Sequence, residues 1–272
     1  AVRRDATAYN WKRKREILAQ CRLYVTTPSQ WLMDRVHASL LAPAIIEGRV
    51  IPNGVDTSDF SPGDKAAARA ELGIAAGARV LMFAANGIRN NAWKDYRALL
   101  AAIRIIGAAG AAANVILLAV GETAPPEQVG AATIRFVPFQ GEAATLARYY
   151  RAADVYVQSA LIESFGNALL EARACGLPAV ATAVGGIPEH VKALACDHAA
   201  DGVRIFPRSE ATGLLTPAGD GDALARAILF LFDHPDVQRE LGENAIRDVD
   251  LHFRVSLQAD RFLAWYQEIL AA

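Results

Sequence analysis

Residues 159–189, SALIESFGNALLEARACGLPAVATAVGGIPE, constrain the fold of this chain more than any other stretch. They begin where the apolar run 154–158 ends and take in a second apolar run, 178–182. Between the two, residues 167–174 set Ala168, Leu169, Leu170 and Ala172 over a broad helical face. Strand, tight turn, helix and strand make the repeating unit of a parallel sheet. The turn carries chemistry: Glu163 precedes it, Phe165-Gly166-Asn167 opens it and Glu171 follows inside the helix. Gly166 lets backbone come close to a ligand, and the free N–H groups of a helix's first turn favour a phosphate. Glu171 would repel a phosphate that it faced, so its oxygens suit neutral hydroxyls such as those of a ribose or sugar. Taken singly, each glutamate reads rather as a helix cap or a surface charge, which the macrodipole favours near any helix start.

A chain of 272 residues buries one good core, with room for a smaller appendage. A formal charge of -1 gives no case for nucleic acid or another polyanionic partner. Cys21, Cys175 and Cys196 are odd in number and widely spaced, which speaks for a reducing compartment and against a disulfide scaffold. The longest apolar runs, near 115–120 and 228–232, are far short of a bilayer span.

In chain order, residues 1–20 are basic, with Arg3, Arg4 and Lys12-Arg13-Lys14-Arg15, and then show a short helical pattern of Trp11, Ile17 and Leu18. A solvated helix face suits so few apolar residues better than contact with an anionic membrane. Residues 23–27 form a strand, Ser29 caps a helix over 30–40, and a short strand at 49–51 ends in Pro52-Asn53-Gly54. One helix and two strands cannot bury both faces of their own sheet.

The next region opens with a polar helix over 64–72, then a buried parallel strand at 79–85. A loop over 86–95, with Gly87, Arg89 and Lys94, leads to a helix over 96–106. A first strand, a glycine-containing loop with cations and a helix is where a doubly wound α/β domain meets a phosphorylated ligand. Lys94 is the leading cation for a diphosphate there, although an exposed lysine is usually only solvated. No G-x-G-x-x-G or Walker sequence supports an NAD or ATPase reading. Strands follow at 115–121, 133–137 and 154–158, with a helix over 142–151 turning Leu146 and Tyr149 or Tyr150 inward. The ends at Asn86, Gly121, Val137 and Ser159 should send their loops to one sheet edge. A last strand at 214–216 precedes helices over 222–232, 237–249 and 253–270. The last carries so many large apolar side chains that it should bury against more than one neighbour. Cys196, Asp197, His198 and Asp201 match no strong metal spacing, and Asp248-Val249-Asp250 reads as solvated.

Glu163, seven residues and Glu171, then Cys175-Gly176-Leu177-Pro178, then Val184-Gly185-Gly186-Ile187-Pro188-Glu189 resemble the signature of the retaining glycosyltransferases called family four or group 1. Ile51-Pro52-Asn53-Gly54-Val55-Asp56 resembles the segment that crosses between their two domains, and the likeness runs from about Trp11 to the end. The resemblance implies a GT-B fold, with a Rossmann-like parallel sheet domain and a partial remnant of the domain before it. It divides the chain into an acceptor-side tail over 1–56, a nucleotide-sugar domain over 57–250 and a terminal helix over 251–272 that packs back. It also implies that the acceptor domain precedes Ala1 or is a separate chain, and that 192–211 is a surface extension near the donor pocket.

By the same resemblance a sugar passes from a nucleoside-diphosphate sugar to a glycan or lipid-linked acceptor, in bacterial polysaccharide or glycoconjugate synthesis. No metal or other cofactor is implied. Glu171 would bind ribose hydroxyls, and Glu163 the donor sugar near the reacting centre. Lys94 and Arg89 would hold the departing diphosphate, with Gly87, Phe165, Gly166, Asn167 and Leu170 around the donor and Val137-Pro138 facing the base. The family's usual arginine, in Gly-Arg or directly before the lysine, is missing, for Ala85-Asn86 and Trp93 stand there. A cytoplasmic site follows, with contact at the inner face of the membrane left open. Two other readings remain: a donor-binding module without catalysis of its own, and a nucleotide-sugar epimerase of the same fold, which lacks its histidine-rich constellation here.

Overall fold

The computed structural model describes residues 5–108 and 114–271, so Arg3 and Arg4 lie outside it. Helix α1 (Thr7–Leu18) buries none of its residues, and Arg15 lies over the Trp11 ring at 4.7 Å. It precedes β1 (Leu23–Thr27), α2 (Gln30–His37) and β2 (Ile45–Val50), and β1 and β2 pair in parallel. The Ser29 hydroxyl caps α2 by accepting the Leu32 N–H at 3.3 Å. That helix stops at His37, three residues before its expected end at 40.

The larger body begins with α3 (Lys65–Glu71), β3 (Arg79–Ala84), α4 (Tyr96–Ala108), β4 (Val115–Val120), β5 (Glu127–Val129) and β6 (Ala132–Val137). It continues through α5 (Ala143–Ala152), β7 (Val155–Gln158), α6 (Asn167–Ala174), β8 (Ala179–Thr182), α7 (Ile187–His190), β9 (Ala193–Leu194), β10 (Ile205–Phe206) and β11 (Gly213–Thr216). Helices α8 (Gly221–Asp233), α9 (Pro235–His252) and α10 (Val255–Ala271) close the chain. The strands form one sheet in the order β10-β9-β11-β8-β7-β3-β4-β6-β5, parallel except for the β5–β6 pair.

The continuous apolar run of β3 follows from burial on both sides: Val80 and Met82 enter one core, Leu81 and Phe83 the other. Helices α4 and α8 cover the second face with Leu99, Ile103, Ile106, Leu224, Ile228 and Leu231. Tyr150 of α5 and Leu169 and Leu170 of α6 fill the first.

Three expectations need correction. Residues 192–211 do not lie beside the strand ends that hold Lys94 and Glu163; they add β9 and β10 to the sheet beyond β11, at its far edge. Asp248 is not solvated: it is 5 % exposed and pairs with the fully buried Arg173 and, at 2.8 Å, with Lys192. The terminal helix buries only Trp265 among the described residues, whose Nε1–H donates to Glu47 at 2.8 Å, whereas Leu270 is 87 % exposed. Trp265 meets the small sheet through Tyr24 of β1 and Glu47 of β2.

Candidate donor-binding site

Between β3 and β7 the sheet reverses its direction of growth: β4 and β6 extend it one way, β8 and β11 the other. At such a reversal the loops leaving the two central strands diverge, and a crevice opens at their carboxyl ends. Here those loops are 85–95 and 159–166, and they are stapled together. The Ser159 hydroxyl donates to the Lys94 carbonyl at 2.8 Å, and the Leu161 N–H to the Trp93 carbonyl at 2.8 Å.

The staple brings the Lys94 ammonium within 2.5 Å of the Glu163 carboxylate, with both side chains largely shielded from solvent. Gln158, the one polar residue of β7, donates its amide to the same oxygen at 3.0 Å. Glu163 owes its place to the glycines of the Val184–Glu189 segment. A Cβ on Gly185 would stand 1.8 Å from the Glu163 carbonyl, and the Gly186 N–H donates to that carbonyl at 3.0 Å. Glu189 then reaches outward, its two oxygens accepting the Gln30 and Trp31 N–H groups at the start of α2, each at 2.7 Å.

Gly166 follows with φ of 91°, a left-handed turn that a side chain would strain, and starts α6 beside Glu163. The Leu169 and Leu170 N–H groups bond to the Gly166 carbonyl, which leaves those of Asn167 and Ala168 at the open end of the helix. One turn along, Glu171 accepts the Tyr150 hydroxyl at 2.9 Å. Burial pushes its carboxyl above the usual range, and the Tyr150 bond only partly offsets this. Glu171 and Ala168 line a cavity of about 420 Å³ with Phe60, Asn86, Gly121 and Leu146. A second, of about 460 Å³, holds Lys94 and Glu163 with Trp31, Trp93 and Ile162. Ala168 of α6 lines the first, and Ser164, just ahead of that helix, lines the second.

Residues 78–234 match the family described as glycosyl transferases group 1, more than half of the chain. The chain belongs to that family. It is 37 % identical over 215 residues to a D-inositol 3-phosphate glycosyltransferase of Actinosynnema mirum, covering 72 % of this chain and 46 % of that protein. It spans about half the length of the curated relatives it matches. Among solved structures, sucrose-phosphate synthase from Thermosynechococcus elongatus superposes with a TM-score of 0.75 at 27 % identity, over 99 % of this chain and 63 % of that one. Anabaena HepE in complex with UDP and glucose gives 0.73 at 18 % identity, over 96 % and 67 %, which shows a shared fold.

Within this group 1 glycosyltransferase fold, the expected site residues are distributed unevenly. Lys94, Glu163, Gly166 and the start of α6 stand together, and Glu171 faces the adjoining cavity. Arg89 does not join Lys94. Its Nε donates to Glu122 at 2.5 Å, its Nη1 lies 3.4 Å from Glu127, and its guanidinium sits over the Phe136 ring. Two carboxylates at the ends of β4 and β5 outcompete a more distant pocket. Leu170 turns its side chain into the core, and its N–H is spent on Gly166. Phe165 is 2 % exposed, and its carbonyl is occupied by His190. Asn167 accepts a bond from Asn53 at 2.8 Å. Gly87 donates its N–H to the Gly121 carbonyl at 3.2 Å. The Val137 carbonyl takes the Gly121 and Glu122 N–H groups, and that of Pro138 takes the Gln140 amide, so Phe139, Gln140 and Gly141 form the cavity wall there.

Sequence reasoning left Gln158, Glu189, Arg173 and His190 without a role. A lone amide closing an apolar strand was a legible signal for Gln158; the others depend on partners far away in the chain. Among the described residues no three His, Cys, Asp or Glu side chains form a group that could hold a metal ion.

Proposed function

We propose that this chain is the donor-binding half of a retaining glycosyltransferase that takes a nucleoside-diphosphate sugar and glycosylates a glycan or lipid-linked acceptor. The observation that carries this reading is the Lys94–Glu163 pair standing beside the glycine-opened start of α6, with Glu171 across that turn. The base enters the cavity bordered by Phe139–Gly141, and the ribose hydroxyls meet Glu171. The diphosphate lies against the Asn167 and Ala168 N–H groups, where the helix dipole favours negative charge.

The sugar then reaches Glu163. In the free protein Lys94 and Glu163 satisfy each other; a bound donor separates them, giving the ammonium to phosphate and the carboxylate to a sugar hydroxyl. As the glycosidic bond breaks, negative charge grows on the departing diphosphate, and Lys94 with the helix N–H groups stabilises it most at that moment. The chain spans about half of its relatives' length, so the acceptor side is assigned to sequence outside it.

Calorimetric titration with UDP, GDP and ADP sugars tests the reading. One of them should bind, and Lys94→Ala should weaken it by about tenfold or more, in line with the loss of a charge-assisted contact. Indifference of every donor to Lys94→Ala would sink the proposal. Binding without transfer of labelled sugar to any acceptor would favour a donor-binding module for this chain.

A further inference from the structure

Behind the donor site runs a row of buried groups that the proposed chemistry does not use. Asp248 of α9 pairs with Arg173 of α6, which is fully buried, and its other oxygen meets Lys192 at 2.8 Å. The Arg173 Nη1 lies 3.0 Å from His190 Nδ1, and His190 Nε2 lies 2.5 Å from the Phe165 carbonyl. These contacts fix the proton positions. An arginine only donates, so Nδ1 must be the bare nitrogen; a carbonyl only accepts, so Nε2 carries the hydrogen. His190 is therefore a neutral imidazole that receives from Arg173 and gives to Phe165.

The row ends at a meaningful atom. The Phe165 carbonyl belongs to the peptide that leads into Gly166, whose φ of 91° starts α6. Rotation of that peptide would redirect the Asn167 and Ala168 N–H groups. The rings reinforce the grip: His190 stacks on Phe165 at 4.4 Å and 22°, and Arg173 lies over Phe253. A buried ion pair is a costly way to fill a core, and its attested benefit is specifying one arrangement over others.

We propose that Asp248, Arg173 and His190 are positioning residues for the donor site: through the Phe165 carbonyl they hold the left-handed turn at Gly166 and so aim the first N–H groups of α6 at the diphosphate. This rests on the donor-binding reading above. The acceptor needs no part in it, and neither does Glu171, whose cavity takes the nucleoside end.

The test compares His190→Gln with His190→Asn. A glutamine amide reaches about as far as Nε2 and can still donate to Phe165; an asparagine amide stops near Nδ1 and cannot. Affinities are measured for whichever of UDP, GDP and ADP the native chain binds, and for the matching nucleoside. His190→Asn should weaken the diphosphate about tenfold, with the nucleoside within about twofold, and His190→Gln should recover most of the loss. Equal loss for nucleoside and diphosphate would reduce the row to general stability and overturn the proposal, as would an unchanged diphosphate affinity. If the native chain binds no nucleoside diphosphate, the donor-binding reading fails by itself. Amide exchange at Gly166–Leu170 then judges the row separately: it should quicken in His190→Asn and not in His190→Gln, and equal exchange in both would overturn it. Should His190→Asn fail to fold while His190→Gln folds, Arg173→Lys keeps the charge but loses the fork, and it replaces His190→Asn in both measurements. A selective loss of diphosphate affinity would then support the row, and an equal loss or none would overturn it.

Discussion

In the donor-binding reading, Glu171 would serve binding at a cost to stability. Burial raises its folded-state pKa above the unfolded value of about 4.3. A carboxylate shifted in that direction adds stability below the unfolded pKa and loses it as pH rises through the folded one. Glu171→Gln should therefore raise the melting temperature near pH 7, with little change near pH 4. The same change should weaken nucleotide binding, because an amide accepts less well from ribose hydroxyls. Thermal melts and titrations on one sample check both halves, and a variant that loses stability at pH 7 would refute the account. Arg89 teaches the opposite lesson at this scale: its position in sequence suited a diphosphate, but Glu122 and Glu127 lie closer. Sequence gives a side chain's type and register, whereas competition among its possible partners is a matter of tertiary geometry.

Among elements, the unit from β7 through α6 to β8 was the most legible. Its strands are apolar because both of their faces are buried, and Gly166 and Gly176 punctuate the helix at both ends. The two-residue strands β9 and β10 were not legible, since two residues carry no period and their pairing depends on β11. Asp248 misled for a related reason: D-V-D late in a helix looks solvated until Arg173 and Lys192, distant in sequence, close over it. The loop at Gly185 permits a sharp test. An alanine there would put its Cβ 1.8 Å from the Glu163 carbonyl at a φ of 58°. Gly185→Ala should cost about 2–4 kcal/mol in urea unfolding and also weaken donor binding by displacing Glu163. Loss of stability with donor affinity intact would show that Glu163 is placed by something other than this contact.

The whole molecule carries its own pH signature. Desolvation, with Arg173 adding to it, pushes His190 down to about 3, while the same side chain in the unfolded chain titrates near 6.5. Between those values the unfolded state binds the extra proton, so stability is complete above the unfolded pKa and drains as pH falls toward 3. The slope approaches on the order of 1 kcal/mol per pH unit. Urea melts from pH 4 to 7 should show it, and His190→Gln should flatten it; an equally steep decline in that variant would assign the effect to other groups.

The join between the two bodies has a mechanical consequence. The chain passes between them twice, and the passages are fastened to each other, with the Val55 N–H on the Phe253 carbonyl and the Val255 N–H on the Val55 carbonyl at 2.8 and 2.9 Å. A single tether would permit swinging in any direction. The two fastened passages, together with the Glu189 carboxylate seated on the first N–H groups of α2, restrict that freedom.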